Sequence, residues 1–236
     1  MREVGPELVT LHLWRVPRRA VPAAVLRMGV DRRAVRGTAG VRFAKLLGTG
    51  DGGSFRARDA DPRRWGLLAS WTDSASARAF ERSAVAGRWR RLAEETWRVE
   101  LRPLAARGKW SGQEPFGRPA PAGARWDGPV AAVTRARLRP SRARSFWRAV
   151  PPVSADLRAQ PGLRLAVGIG EAPVGLQGTF SVWESAAALR GFAYAGAAHS
   201  AVIERTVPER WYAEELFARF AVEAADGTVD GRDPLA

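Results

Sequence analysis

A chain of 236 residues, 46% apolar and without cysteine, is long enough for one large folded domain or two small ones. It excludes disulfides, iron–sulfur clusters and thiolate ligation of haem. The net charge of +14 first suggests nucleic acid or an anionic surface. Lysine occurs only at Lys45 and Lys109, however, and the arginines are scattered through both halves. No specific nucleic-acid site is therefore expected, and loose attraction to anionic lipid headgroups is the better expectation. The opening residues carry no apolar signal core and no apolar run reaches spanning length, which predicts a cytoplasmic protein with peripheral attachment to a membrane surface.

Leu8 to Arg15 alternates and is rich in strand formers, so it reads as the first strand. His12 shares a face with Thr10 and Trp14, and an ordinary strand histidine outweighs a ligand there. A helix follows through Val25, Leu26 and Met28, and Val41 to Leu47 is the second strand. It ends in Gly48-Thr-Gly50, but the third glycine and the helix of a dinucleotide fingerprint are missing, and Asp51 to Pro62 reads as loop. Trp65 to Trp71 is the third strand. Thr72-Asp73-Ser74 caps a helix from Ala75 to Glu81, another runs from Ala84 to Glu95, and Trp97 to Pro103 is the fourth strand.

Residues 1–104 thus read β-α-β-β-α-β, a ferredoxin-like unit. Residues 105–128, rich in Gly, Pro and Arg, read as a linker, with Arg107 to Phe116 specific enough to serve as a lid over a site. Residues 129–236 repeat the pattern: strands at Val130–Leu138, Leu163–Gly170 and Gly178–Trp183, a helix within Pro140 to Leu157, and a closing strand around Leu216 to Phe220. Trp71 and Trp183 each precede a phenylalanine by nine residues, Phe80 and Phe192, and a GxG ends the second strand of each half. The expected fold is α+β, two tandem ferredoxin-like repeats packed as an intrachain dimeric α/β barrel. A cavity between sheet and helices is its natural ligand site.

Gly196 breaks one helical pattern and another starts near Ala198, placing His199, Val202, Ile203 and Thr206 on one face. A helix N-terminus disfavours the imidazolium, and neutral imidazole is the form that ligates a metal or acts as a base. A core histidine bonded to a carbonyl is the alternative. Counting back from Trp211 and Trp97 puts Val85 opposite His199, so the histidine belongs to one repeat only. Glu94-Glu95 and Glu214-Glu215 are adjacent and do not converge, there is no G-x-S-x-G, and two histidines cannot build a site of several imidazoles. A single histidine can still hold an iron whose other four positions are supplied by a porphyrin. Ten tryptophans offer apolar lining that suits a flat macrocycle or polyene, with Trp183 and Trp110 as the candidates, and arginines can pair with propionates.

Phe43 to Gly50, Leu68 to Trp71, Arg107 to Phe116, Gly168 to Pro173, Thr179 to Trp183, His199 and Trp211 to Phe220 together resemble the spheroidene monooxygenase family, in order and at similar spacing from Leu8 onward. The resemblance implies a monooxygenase that ketolates or hydroxylates an acyclic carotenoid such as spheroidene, or a related apolar polyene. It would use O2 and electrons from a reduced ferredoxin-type donor protein. It also implies haem and the dimeric α/β barrel superfamily, with His199 as catalytic residue and axial iron ligand, preceded by Ala198 where the family commonly has proline. The rival expectations are a non-catalytic carrier of haem or an apolar ligand, and a cofactor-free isomerase or cyclase on the same barrel.

Overall fold

The computed structural model describes residues 6, 8–51, 59–117, 126–142, 157, 159–171, 178–195 and 211–236. The strands are β1 (Leu8–Arg15), β2 (Val41–Gly50), β3 (Ala60–Trp71), β4 (Glu95–Gly108), β5 (Val130–Leu138), β6 (Leu163–Gly170), β7 (Gly178–Trp183) and β8 (Tyr212–Gly227). The helices among the described residues are α1 (Val21–Arg36), α2 (Ser74–Glu81), α3 (Ala84–Leu92) and α4 (Ala186–Ala195). The strands close into an antiparallel barrel in the order β1-β3-β2-β6-β7-β5-β8-β4. Each half is a four-stranded ferredoxin-like sheet, β4-β1-β3-β2 and β8-β5-β7-β6, and the two join along β2–β6 and β4–β8. The tandem-repeat barrel expected from the sequence is the fold observed.

Alternation sorts each strand into an inner and an outer face. Inward residues such as Val9, Leu11, Leu13, Val99, Val133, Phe180 and Phe220 fill the barrel, so it is packed rather than a channel. Outward residues of the first half, among them Trp14, Leu46, Trp65, Leu67 and Trp71, form a second core beneath the helices with Met28, Phe80 and Trp89. Asp73 caps α2 by accepting from the Ser76 N–H at 2.7 Å, and Ser83 caps α3 through the Ala86 N–H at 3.2 Å.

Two strands outrun their expected ends. β3 begins at Ala60 and contains Pro62, which falls where the β2 register jumps from Gly48↔Trp65 to Thr49↔Asp61. β4 continues to Gly108 past Pro103, again at a register shift, between Pro103 and Ala105. A proline has no N–H for the ladder, and a bulge is where none is needed. The expected boundary at residue 104 therefore falls inside β4.

The segment after β4 closes one end of the barrel. Gly108 (φ 91°), Ser111 (56°) and Gly112 (77°) fold a tight hairpin, with Trp110 paired to Gln113, that inserts Trp110 and Phe116 into the barrel core. The C-terminus repeats it. Gly227 (91°), Asp230 (54°) and Gly231 (75°) turn the chain, Val229 pairs with Arg232, and Val229 and Leu235 enter the same core. Gly-Lys-Trp-Ser-Gly-Gln-Glu-Pro-Phe116 and Gly-Thr-Val-Asp-Gly-Arg-Asp-Pro-Leu235 are one motif used twice.

Candidate functional site

Of the three candidates from the sequence, the two that the structure describes, Trp110 and Trp183, do not come together. His199 lies outside the described residues, as does most of the helix expected from Pro140 to Leu157. Trp110 is on the inside of the barrel and Trp183 on the outside. The Trp110 indole N–H donates to Glu171 Oε1 at 2.7 Å, and the Glu171 carboxylate also accepts from Lys45 Nζ at 2.5 Å and Arg135 at 2.9 Å. Arg135, only 3% exposed, also pairs with Glu214, which accepts from the Ser111 and Gly112 N–H groups. Burial alone would push Glu171 up, but hydrogen bonds from Lys45 and Trp110 and the charges of Lys45 and Arg135 outweigh it and hold the carboxyl below its usual range. The segment expected as a lid is thus locked into the barrel mouth by a compensated charge cluster.

His12 points out of the barrel, on the face shared with Thr10 and Trp14. It is 3% exposed, stacked on Trp14 at 5.3 Å between ring centroids and met edge-on by Phe80 at 5.9 Å. Its Nε2 lies 3.3 Å from Glu81 Oε1 without the alignment of a hydrogen bond. Burial, helped by Arg98 and Arg90, lowers its pKa to about 3, so the ring is neutral. It is a buried histidine packed between aromatic neighbours. Among the described residues no group of three or more His, Asp or Glu is placed to hold a metal ion.

The register shows where the two repeats differ. β1–β3 pairing aligns Leu8 with Trp71, and β5–β7 pairing aligns Val130 with Trp183. Thr10, His12 and Trp14 are thereby equivalent to Ala132, Thr134 and Ala136. Leu67 corresponds to Thr179, and Leu46 to Gly168. In the first repeat these outward residues are bulky and buried: Trp14 at 2%, Leu46 at 5% and Leu67 at 0% exposure. In the second repeat the same positions on three adjacent strands carry nothing larger than threonine, and Thr134 is exposed. Among the described residues the result is a shelf of small side chains, Ala132, Thr134, Ala136, Ala166, Gly168 and Thr179. Trp183 bounds it, stacked on Phe192 of α4 at 5.5 Å, with its indole N–H donated to Ser181 at 2.9 Å. Arg219 of β8, exposed, sits across from Ala132.

Among the described residues, the shelf is where the strands of the second repeat carry the smallest outward side chains. Sequence reasoning missed it because a run of small residues gives no signal until the register pairs it with a bulky one. The register also shows that Trp97 is equivalent to Leu216, through Leu13↔Trp97 and Arg135↔Leu216, so Trp211 is not its counterpart and the count back to His199, which lies outside the described residues, loses its anchor. An open groove of about 530 Å³, lined by Leu163, Arg164, Arg232 and Asp233 beside the C-terminal tail, contains none of the candidate residues.

No family model matches the chain. Spheroidene monooxygenase of Rhodobacter capsulatus is 37% identical over 223 residues, which cover 92% of this chain and 90% of that protein. Spheroidene monooxygenase of Rubrivivax gelatinosus is 44% identical over 198 residues, 83% of this chain and 74% of that protein. Among solved structures, an aldoxime dehydratase superposes with a TM-score of 0.57 at 13% identity, covering 91% of this chain and 80% of that one, a likeness of fold alone.

Proposed function

Because the chain belongs to the spheroidene monooxygenase family, we propose that it oxidises an acyclic carotenoid or related polyene on the outer face of its second repeat. The chain is an oxidoreductase, a carotenoid monooxygenase. The observation that carries the location is the shelf: one repeat fills its outer face with Trp14, His12, Leu46 and Leu67, and the other clears the same positions to Ala136, Thr134, Gly168 and Thr179. A core position changed from Trp to Ala costs about 3–5 kcal/mol of packing when nothing takes its place.

Haem is the group that the family resemblance implies, and the small outward side chains of the shelf are what supports placing it there. A flat macrocycle needs a platform without protruding side chains, an aromatic boundary and a cation for its propionates. Ala132, Ala136 and Gly168 give the first, Trp183 the second and Arg219 the third. His199 would hold the iron. When bound, haem supplies activation of molecular oxygen with electrons from a reduced ferredoxin-type donor. The chain's own part is to exclude water with Trp183 and Phe192, and to orient the polyene along the shelf. The addition of a keto or hydroxyl group to the polyene is the outcome proposed.

The test is an absorption spectrum of protein purified with haem supply, as wild type, His199→Ala and Ala136→Trp. We expect a Soret band in the wild type and none in His199→Ala. In Ala136→Trp, which installs the first repeat's residue on the shelf, we expect about a tenfold or greater loss of haem or carotenoid turnover with an unchanged fold. A full Soret band in His199→Ala removes that residue as ligand, and normal turnover by Ala136→Trp removes the shelf.

A further inference from the structure

The three large apolar side chains exposed among the described residues all lie on α1: Val25 at 42%, Leu26 at 65% and Val30 at 59%. The helix's inward side is already occupied, with Ala24, Met28 and Val35 packed on the first repeat. Pro22, Ala23, Val25, Leu26, Gly29 and Val30 face outward over its first three turns. Arginines bracket this patch: Arg18 and Arg19 before it, Arg33 and Arg36 after it, all exposed. No carboxylate pairs with those four among the described residues. The one acidic residue from Arg18 to Arg36 is Asp31, which is 1% exposed, turned inward and bonded to Arg88 at 2.7 Å.

We infer that α1 is a lipid-docking helix: its outward apolar turns settle into an anionic bilayer surface while Arg18, Arg19, Arg33 and Arg36 pair with headgroup phosphates. An interfacial helix needs an apolar face at the level of the acyl boundary and basic residues at its margins, and this face has both. A protein partner fits less well, because interface cores favour aromatic anchors, and this convex face offers only small aliphatic ones. A polyene that dissolves in lipid gives the enzyme a reason to sit there, although the surface is argued from its residues alone and stands apart from the oxygenase reading. Among the described residues no helix is long and apolar enough to cross a membrane, so the contact is one of surface.

Flotation with phosphatidylcholine vesicles, with and without phosphatidylglycerol and free of carotenoid, tests it. Two variants accompany the wild type: Leu26→Ser/Val30→Ser, and Arg18→Ala/Arg19→Ala/Arg33→Ala/Arg36→Ala. All six positions are exposed, and a melting curve checks that the fold is kept. The wild type is expected to float with the anionic vesicles in a salt-sensitive way, and each variant to lose about tenfold or more in partitioning. Absence of wild-type binding, or equal binding by all three proteins, overturns the inference. So does a wild-type dimer that Leu26→Ser/Val30→Ser converts to monomer, since a second copy would then cover the face. Because the vesicles hold no substrate, failure here leaves haem content and turnover untouched, and failure of the oxygenase reading leaves flotation untouched.

Discussion

His12 shows what one buried group does to stability. Its ring is wedged between Trp14 and Phe80, and the groups facing it are Glu81, Arg98 and Arg90. The folded pKa is about 3, below the ordinary 6.5, so the unfolded chain takes up this proton first as pH falls. Stability from this residue is full above about pH 6.5 and is lost as pH drops toward 3, by up to about 1.4 kcal/mol per pH unit. Glu81 works against it. Burial raises its pKa and Arg98 only partly offsets that, so its share of stability is present in acid and lost as pH rises. Urea midpoints measured between pH 7 and 4 should therefore fall more steeply for the wild type than for His12→Gln, and equal slopes would contradict the burial assigned to His12. The strand face of His12 was legible in the sequence, because alternation with Thr10 and Trp14 is a period-two pattern. That it is buried and neutral was not, since the burial comes from Phe80 on a distant helix.

At the scale of elements, strands and helices were legible through their periodicity and caps, and the failures have a common cause. Pro62 and Pro103 look like strand ends in a sequence, yet both sit in bulges that β3 and β4 pass through. The hairpin plugs kept their Gly-Gly-Pro skeleton across the repeat but exchanged Trp110 for Val229 and Phe116 for Leu235, so matching tryptophans alone hid the motif. That exchange has an energetic consequence. Trp110 fills the core and bonds to Glu171, whereas Val229 only fills. In urea denaturation we expect Trp110→Ala to cost about 3–5 kcal/mol and Val229→Ala about 1–3 kcal/mol. Equal losses would mean that the charge cluster of Lys45, Glu171 and Arg135 adds nothing to the first plug. The carboxylates that tie the plugs down are equivalent too: Glu214 accepts from the Ser111 and Gly112 N–H groups, and Glu95 from the Gly231 N–H.

For the whole molecule, duplication is what made the barrel readable: two units, each with one bare sheet face, have to cover one another. What the repeat could not announce is how unequally the two seams are built. β4 meets β8 from Trp97 to Gly108, whereas β2 meets β6 only through Gly48–Gly50 and Gly168–Gly170. The two GxG segments, which resemble halves of a nucleotide motif, are instead each other's partners, and four of the six residues have no side chain to hold the joint. Local opening tracks the least-supported contacts, so the β2–β6 seam is where this barrel should part first. Amide exchange is expected to be at least about tenfold faster at Thr49 and Ile169 than at Val99 and Phe220, which lie in the wide seam. The shelf borders the weak seam, for Gly168 belongs to both. A ligand laid on the shelf bridges β5, β6 and β7 and should slow exchange at Ile169 while leaving Val99 unchanged. Equal protection of the two seams, or ligand-induced slowing at Val99 alone, would place both the weak joint and the ligand elsewhere.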